Sequence, residues 1–181
     1  MTSQQPIHND PEFITFNYGS PQYVKNNRKD KNYDTLSNMQ TGDILVFYAA
    51  FTNKHENRND VMGGLYFFSY FIVDQAITYD YPEALDNEKR RMVANNHHFI
   101  HGYENQVIVV GNPNCSRVFN KAVPLSLRVR DAKHIKYYPS PEILNILRND
   151  SNKSTNLSSL RRITSDEKAK TFKAYLDMNS V

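Results

Sequence analysis

The chain is 181 residues long, with 39% hydrophobic residues, 22 Lys and Arg against 19 Asp and Glu, one cysteine and no tryptophan. That length suits one compact domain, about 100–200 residues, able to bury a core without help from a metal or a disulfide. The single cysteine, Cys115, excludes an intrachain disulfide framework and fits a reducing compartment, so the cytoplasm is the expected location.

Residues 1–11 are polar and bounded by proline, and read as a flexible arm without the basic start and apolar run of an export signal. Residues 12–16 (EFITF) alternate as a short half-buried strand, and the following YGSP reads as a turn. Residues 23–34 are charged and rich in Asn, which predicts a surface loop. A turn at QTGD, with Gly42 supplying positive φ, leads into the two strongest strand signals. These are residues 44–51 (ILVFYAAF) and 65–78 (LYFFSYFIVDQAIT), expected to pair antiparallel. The second is long for a strand, and its interruptions at Ser69 and Asp74 predict a bend of the kind that closes a small barrel. Its apolar part, 65–73, is about half of a bilayer crossing, so no membrane contact is expected.

Pro82 opens a predicted helix over 82–96, with acidic residues early and basic ones late, and residues 107–110 (VIVV) form a buried strand ended by GNP. Residues 117–127 are extended and interrupted by Pro124. The helical C-terminal part, 140–178, holds two helices, one capped by Ser140 ahead of Pro141 and one opened by a Thr164/Glu167 capping box. Strands in the middle and helices at the flanks predict an α+β domain over 12–181, built on a small mixed or antiparallel barrel.

Charge divides along the chain. Residues 1–116 carry 9 Lys and Arg against 13 Asp and Glu, whereas 117–181 carry 13 against 6. A basic segment suits a partner that presents phosphate, DNA, RNA or a nucleotide, and it would also follow from Lys and Arg solvating exposed helices.

No GxxxxGK[ST], GxGxxG or GxSxG word is present, which removes nucleoside triphosphate hydrolysis, dinucleotide redox chemistry and serine hydrolysis. No cofactor is implied. His97, His98 and His101 (HHFIH) look like a metal cluster, but neighbours on a strand face opposite ways and no further ligand stands at a recognised spacing, so no metal is expected. An imidazole titrates near neutral pH, so His97 or His98 is the candidate general acid/base. Ser116 and Arg117 put a hydroxyl beside a guanidinium, a cradle for phosphate or carboxylate. Tyr18, Tyr48 and Tyr103 stand near turns or on a strand, where they could line a pocket mouth and stack a base.

Taken in order, DPEFITFNYGS, TGDILVFYAAF, GLYFFSYFIVDQAI, NHHFIHG and VIVVGNPNCSRVFNKAVPLS resemble the third of the nucleotide-modification-associated domain families, linked to DNA base hypermodification. The likeness covers about residues 10–127. The turn, Gly-Asp, apolar strand and long second strand are also similar to PUA-like barrels, including the ASCH and EVE domains. The resemblance implies nucleotide-binding roles for Tyr18, Gly19, Ser20, Tyr48, Ser116, Arg117 and Lys121, and puts Asn95 to His98 on an Asn-x-His word; Arg28 is a looser match. The family's Tyr-Gly-Asp falls here on Tyr18-Gly19-Ser20, with serine in place of the acid.

Three functions follow as expectations. One is a nucleic-acid-associated module that binds a modified or unmodified base in a barrel-mouth pocket, with Tyr18 or Tyr48 stacking and Arg117 and Lys121 meeting phosphate. Another is a base-modifying enzyme with His97 or His98 as general acid/base. A third is a dimeric interaction protein of a virus or mobile element that pairs through its aromatic edge.

Overall fold

A computed structural model of the protein describes residues 11–24, 28–52, 63–130, 135–147 and 166–181. It is an α+β fold whose antiparallel sheet curls into a half-barrel flanked by helices. The strand order is β1 (Asn17–Pro21), β6 (Gln106–Gly111), β5 (Gly63–Tyr79), β4 (Ile44–Thr52), and β7 (Arg117–Pro124) also pairs with β5. Two short hairpins complete the strands: β2 (Tyr23–Val24) with β3 (Arg28–Lys29), and β8 (Ser126–Arg130) with β9 (Ile135–Pro139). The chain divides into two compact units, residues 1–45 with 71–117 and residues 46–70 with 118–181. Among the described residues no helix is long and apolar enough to cross a membrane.

In the first unit β1, β6 and the second half of β5 run antiparallel in register, with Asn17 opposite Val110, Gly19 opposite Ile108, and Ile108 opposite Ile77. Side chains alternate across a strand, so this register sorts the residues onto two faces. Ile77, Tyr79, Ile108 and Val110 share one face and pack with Leu85, Val93, Met92 and Phe99. Two helices supply that cover, α2 (Asn87–Val93) and α3 (His97–Ile100). The other face, with Val107, Val109, Tyr18 and Ser20, lies toward α1 (Lys31–Ser37), whose Leu36 is fully buried. β5 carries a bulge between Val73 and Gln75, at the predicted bend. The QTGD turn also forms as predicted, with Gly42 at φ 91° and its N–H donating to the Val73 carbonyl.

Four local expectations are corrected. Residues 12–16 are a turn and the strand is the following Asn17–Pro21, because the Glu12 carboxylate accepts the backbone N–H groups of Ile14 and Thr15 and folds the segment onto itself. Part of the predicted loop at 23–34 is helical, since Asp30 caps α1 by accepting from the Asn32 N–H at 2.9 Å. The single helix over 82–96 is broken: Pro82–Ala84 makes one 3-10 turn, Leu85 is extended and buried, and Asp86 starts α2 anew by accepting from the Lys89 N–H at 2.9 Å. Arg90 holds the break by donating to the carbonyls of Leu85 and Glu83, each at 2.8 Å. Finally, His97 and His98 lie on a helical turn instead of a strand, capped by Asn96.

In the second unit Phe67 meets Phe172 edge to face, ring centroids 5.3 Å apart, and Val123, Leu125, Ile143 and Leu176 are buried as well. These residues come from β5, β7, α4 (Pro141–Leu147) and α5 (Asp166–Asn179), and the segment between β7 and β8. Ser140 caps α4 as predicted, its hydroxyl accepting from the Ile143 N–H at 3.3 Å; Thr164 lies outside the described residues. α5 is tied to β5 where the Tyr70 hydroxyl donates to Asp177 at 2.8 Å and Lys173 pairs with the same carboxylate at 2.6 Å. Burial and the Asp177 hydrogen bond hold the Tyr70 phenol above its ordinary pKa.

Candidate functional site

The first unit gathers a polar corner where α3 crosses β1. Asn96 starts α3 by accepting from the backbone N–H of His98 at 2.9 Å, and both side chains are buried. They stand over Gly19, where a Cβ would come 2.8 Å from His98 Cδ2 and 3.1 Å from Asn96 Oδ1. Glycine at 19 is therefore a packing requirement: any side chain there would displace the imidazole.

His98 Nδ1 lies 2.8 Å from Gln106 Oε1 across the sheet. The Gln106 amide is itself fixed, its Nε2 donating to the Glu104 carbonyl at 2.7 Å, so Oε1 is the atom turned to the histidine. An oxygen can only accept, so Nδ1 carries the proton and, in the neutral ring, Nε2 carries the basic electron pair. Replacing Gln106 by leucine is expected to release this choice. Long-range 1H–15N correlation spectra of His98 will report Nδ1–H in the parent and a shift toward Nε2–H in Gln106→Leu; an Nε2–H parent spectrum would refute the assignment.

Around His98 the rings continue outward. His97 and His101 are 4.3 Å apart, His98 and Tyr103 5.5 Å, and His101 lies 6.0 Å from Tyr103 with the planes only 28° apart. His101 and Tyr103 are exposed, whereas His98 is buried. Among the described residues no group of three or more His, Cys, Asp or Glu side chains is arranged to hold a metal ion.

Inward, on the same sheet face, three buried polar atoms have no hydrogen-bond partner among the described residues: Asn17 Oδ1, Asn96 Nδ2 and Tyr79 Oη. The other atoms of the two amides are engaged, Asn17 Nδ2 with Thr15 Oγ1 and the Met92 carbonyl, and Asn96 Oδ1 with His98. Each unpartnered buried group costs about 1–3 kcal/mol. Burial pushes the Tyr79 phenol up to about 12.

The remaining predicted residues are placed as follows. Tyr18 and Ser20 sit on β1 but face the opposite way from Gly19, and Ser20 is 3.3 Å from the Asp30 carboxylate. Ser116 is committed to the fold: its Oγ accepts from the Ile72 N–H at 3.0 Å and its N–H donates to the Asn112 carbonyl at 2.8 Å, next to the β5 bulge. Arg117, half-buried, begins β7. Tyr48, 42% exposed on β4, and Lys121, exposed on β7, belong to the second unit. Cys115 is exposed in the turn before Ser116.

Gln106, Asn17 and Asn96 were not among the predicted site residues. Asn96 could have been found as an N-cap two residues before His98, whereas Gln106 and Asn17 acquire their meaning only from the register of β6 and β1.

No curated protein and no solved structure matches the chain. The likeness noted over residues 10–127 widens to residues 1–174 in the comparison with family models. A match over residues 1–174 to nucleotide modification associated domain 3 spans both compact units, and the protein belongs to that family.

Proposed function

We propose that the protein is a nucleic-acid-associated module that takes a nucleobase on the ring cluster around α3, with basic side chains elsewhere on the chain drawing in phosphate. The observation that carries this reading is the exposed, nearly parallel pair His101 and Tyr103, backed by His97. Such a pair offers a face on which another planar ring stacks, worth about 1–3 kcal/mol per base. The charge distribution supports it separately. The first unit holds 8 Lys and Arg against 11 Asp and Glu, and the second holds 14 against 8, so the basic excess belongs to the second unit. Family membership links the chain to nucleotide modification.

The test is fluorescence anisotropy with short labelled single- and double-stranded DNA, carrying modified or unmodified bases, over a series of salt concentrations. Binding is expected to weaken steeply with salt. Tyr103→Ala should weaken it about 5- to 150-fold, the equivalent of one lost stack, at every salt concentration. Arg117→Ala should instead reduce the salt slope by about one. Absent or salt-independent binding defeats the proposal.

A second reading, a base-modifying enzyme, is favoured by one observation, the Gln106 contact that orients His98. In that reading His98 is the general acid/base and His97 a ring of the platform. His98→Ala would abolish turnover, and His97→Ala would mainly weaken binding.

A further inference from the structure

We infer that Asn17 and Asn96 form a recognition pair for the hydrogen-bonding edge of a neutral heterocycle; the inference rests on the reading that a base is taken at α3. Both side chains are fully buried, 0% exposed, and each keeps one amide atom without a partner among the described residues. The two atoms are complementary: Asn17 Oδ1 accepts and Asn96 Nδ2 donates. Both lie on the same face of β1. Asn96 lies over Gly19, and Asn17 is the next residue of β1 on the same face, about 7 Å along the strand. Among the neighbouring polar groups, His98 and Gln106 hold each other and the other atoms of the two amides are bonded within the chain, while the Tyr79 hydroxyl is the third unpartnered atom of this face.

The unpartnered pair therefore presents one donor and one acceptor, and neither group is charged. That set does not suit phosphate, which calls for cations or clustered N–H donors. It suits a planar ring with a donor beside an acceptor on one edge, the pattern of each nucleobase. His98 lies on the same side of β1, so a ring seated against the two amides would meet the oriented imidazole as well. Entry requires α3 to shift. A four-residue helix has little intrinsic stability, so α3 is held by Phe99 on the core and His98 on Gln106, and these are the contacts that entry must open.

Asn96→Asp and Asn96→Ser both keep the helix cap and remove the unpartnered donor. Aspartate caps a helix as well as asparagine does, so the contact to the His98 N–H is kept while the unpartnered donor becomes an acceptor. Asn96→Ser keeps a cap and removes the donor. The four deoxynucleosides would be titrated calorimetrically, with inorganic phosphate and deoxyribose as controls. At least one nucleoside is expected to bind the parent while both controls fail. Both variants should bind that nucleoside at least tenfold more weakly with the circular dichroism of the parent; Asn96→Asp, which buries a carboxylate, should also unfold at a lower midpoint, whereas Asn96→Ser, which removes an unpartnered donor, should not.

Parent-like nucleoside binding in both variants overturns the inference. So does a crystal structure grown with the nucleoside that shows only a water bridging Asn17 and Asn96. If DNA binds with the expected salt and Tyr103 dependence while nucleosides do not respond to Asn96, this inference falls and the stacking platform stands. If neither DNA nor nucleosides bind, both fall.

Discussion

Phe71→Ala is expected to destabilise the protein by about 3–5 kcal/mol, a large part of the 5–15 kcal/mol that holds a typical domain folded. Phe71 is 0% exposed, and two other rings meet it edge to face, Phe16 at 5.3 Å and Phe13 at 5.9 Å. Removing it loses the buried ring, two aromatic contacts and the filling of the space between them, while the sheet behind cannot collapse to follow. The contact is tight: a Cβ on Gly111, in the adjacent strand, would come 2.9 Å from the Phe71 Cβ and 3.0 Å from the Phe16 Cβ. Urea unfolding should show the loss directly, and the melting temperature should fall by roughly 6–20 °C. Phe71→Leu should lose much less, because it refills most of the volume. A loss below about 1 kcal/mol in Phe71→Ala would mean that this cluster is not a core.

The parts of the fold that were legible are those whose signal is carried by the residues of the element itself. The apolar, β-branched and aromatic runs at 44–51, 65–78 and 107–110 are strands because nothing else buries so many such side chains over so few residues. The elements that differ were decided by one polar side chain acting on the backbone a few residues away. Glu12 curls 12–16 into a turn, Asp30 starts α1 within a polar stretch, Asp86 restarts a helix that composition alone would have continued, and Asn96 makes HHFI helical. Such caps are visible as residue types, but an Asp or Asn among many does not declare which backbone N–H it will take.

The site divides in the same way. His97, His98 and Gly19 could be singled out from the chain, yet what makes the corner specific is Gln106, whose side chain has no titratable signature and which reaches His98 only through the pairing of β6 with β5 and β1. Ser116 shows the converse. The Ser-Arg word suggests a phosphate cradle, and the structure adds a role it does not announce: the hydroxyl accepts the Ile72 N–H beside the β5 bulge, a demand that arises only once that strand bends. The charge asymmetry along the chain was readable, and the fold sharpens it by assigning the excess to one unit, since residues 46–70 join 118–181.

Tyr79 supplies the strongest expected pH effect. Its phenol is 5% exposed, has no hydrogen-bond partner among the described residues, and is pushed up to about 12 by burial. In the unfolded chain the same group ionises near pH 10. A raised folded-state value means that the unfolded chain releases its proton first as pH rises. The Tyr79 contribution is therefore whole below pH 10, declines above it, and is lost by about pH 12, a swing of about 3 kcal/mol. Phenylalanine at 79 has no proton to lose, and it also removes a hydroxyl buried without a partner. Tyr79→Phe should therefore be at least as stable as the parent at pH 7, and its advantage should widen by about 3 kcal/mol between pH 10 and 12. Paired urea titrations at pH 7, 10 and 11.5 measure that widening, and the difference between the two proteins isolates Tyr79 from the other tyrosines, which titrate in both. A constant difference across these pH values would show that the hydroxyl is not held protonated by burial. A marked loss of stability in Tyr79→Phe at pH 7 would show that it has a partner in the folded protein.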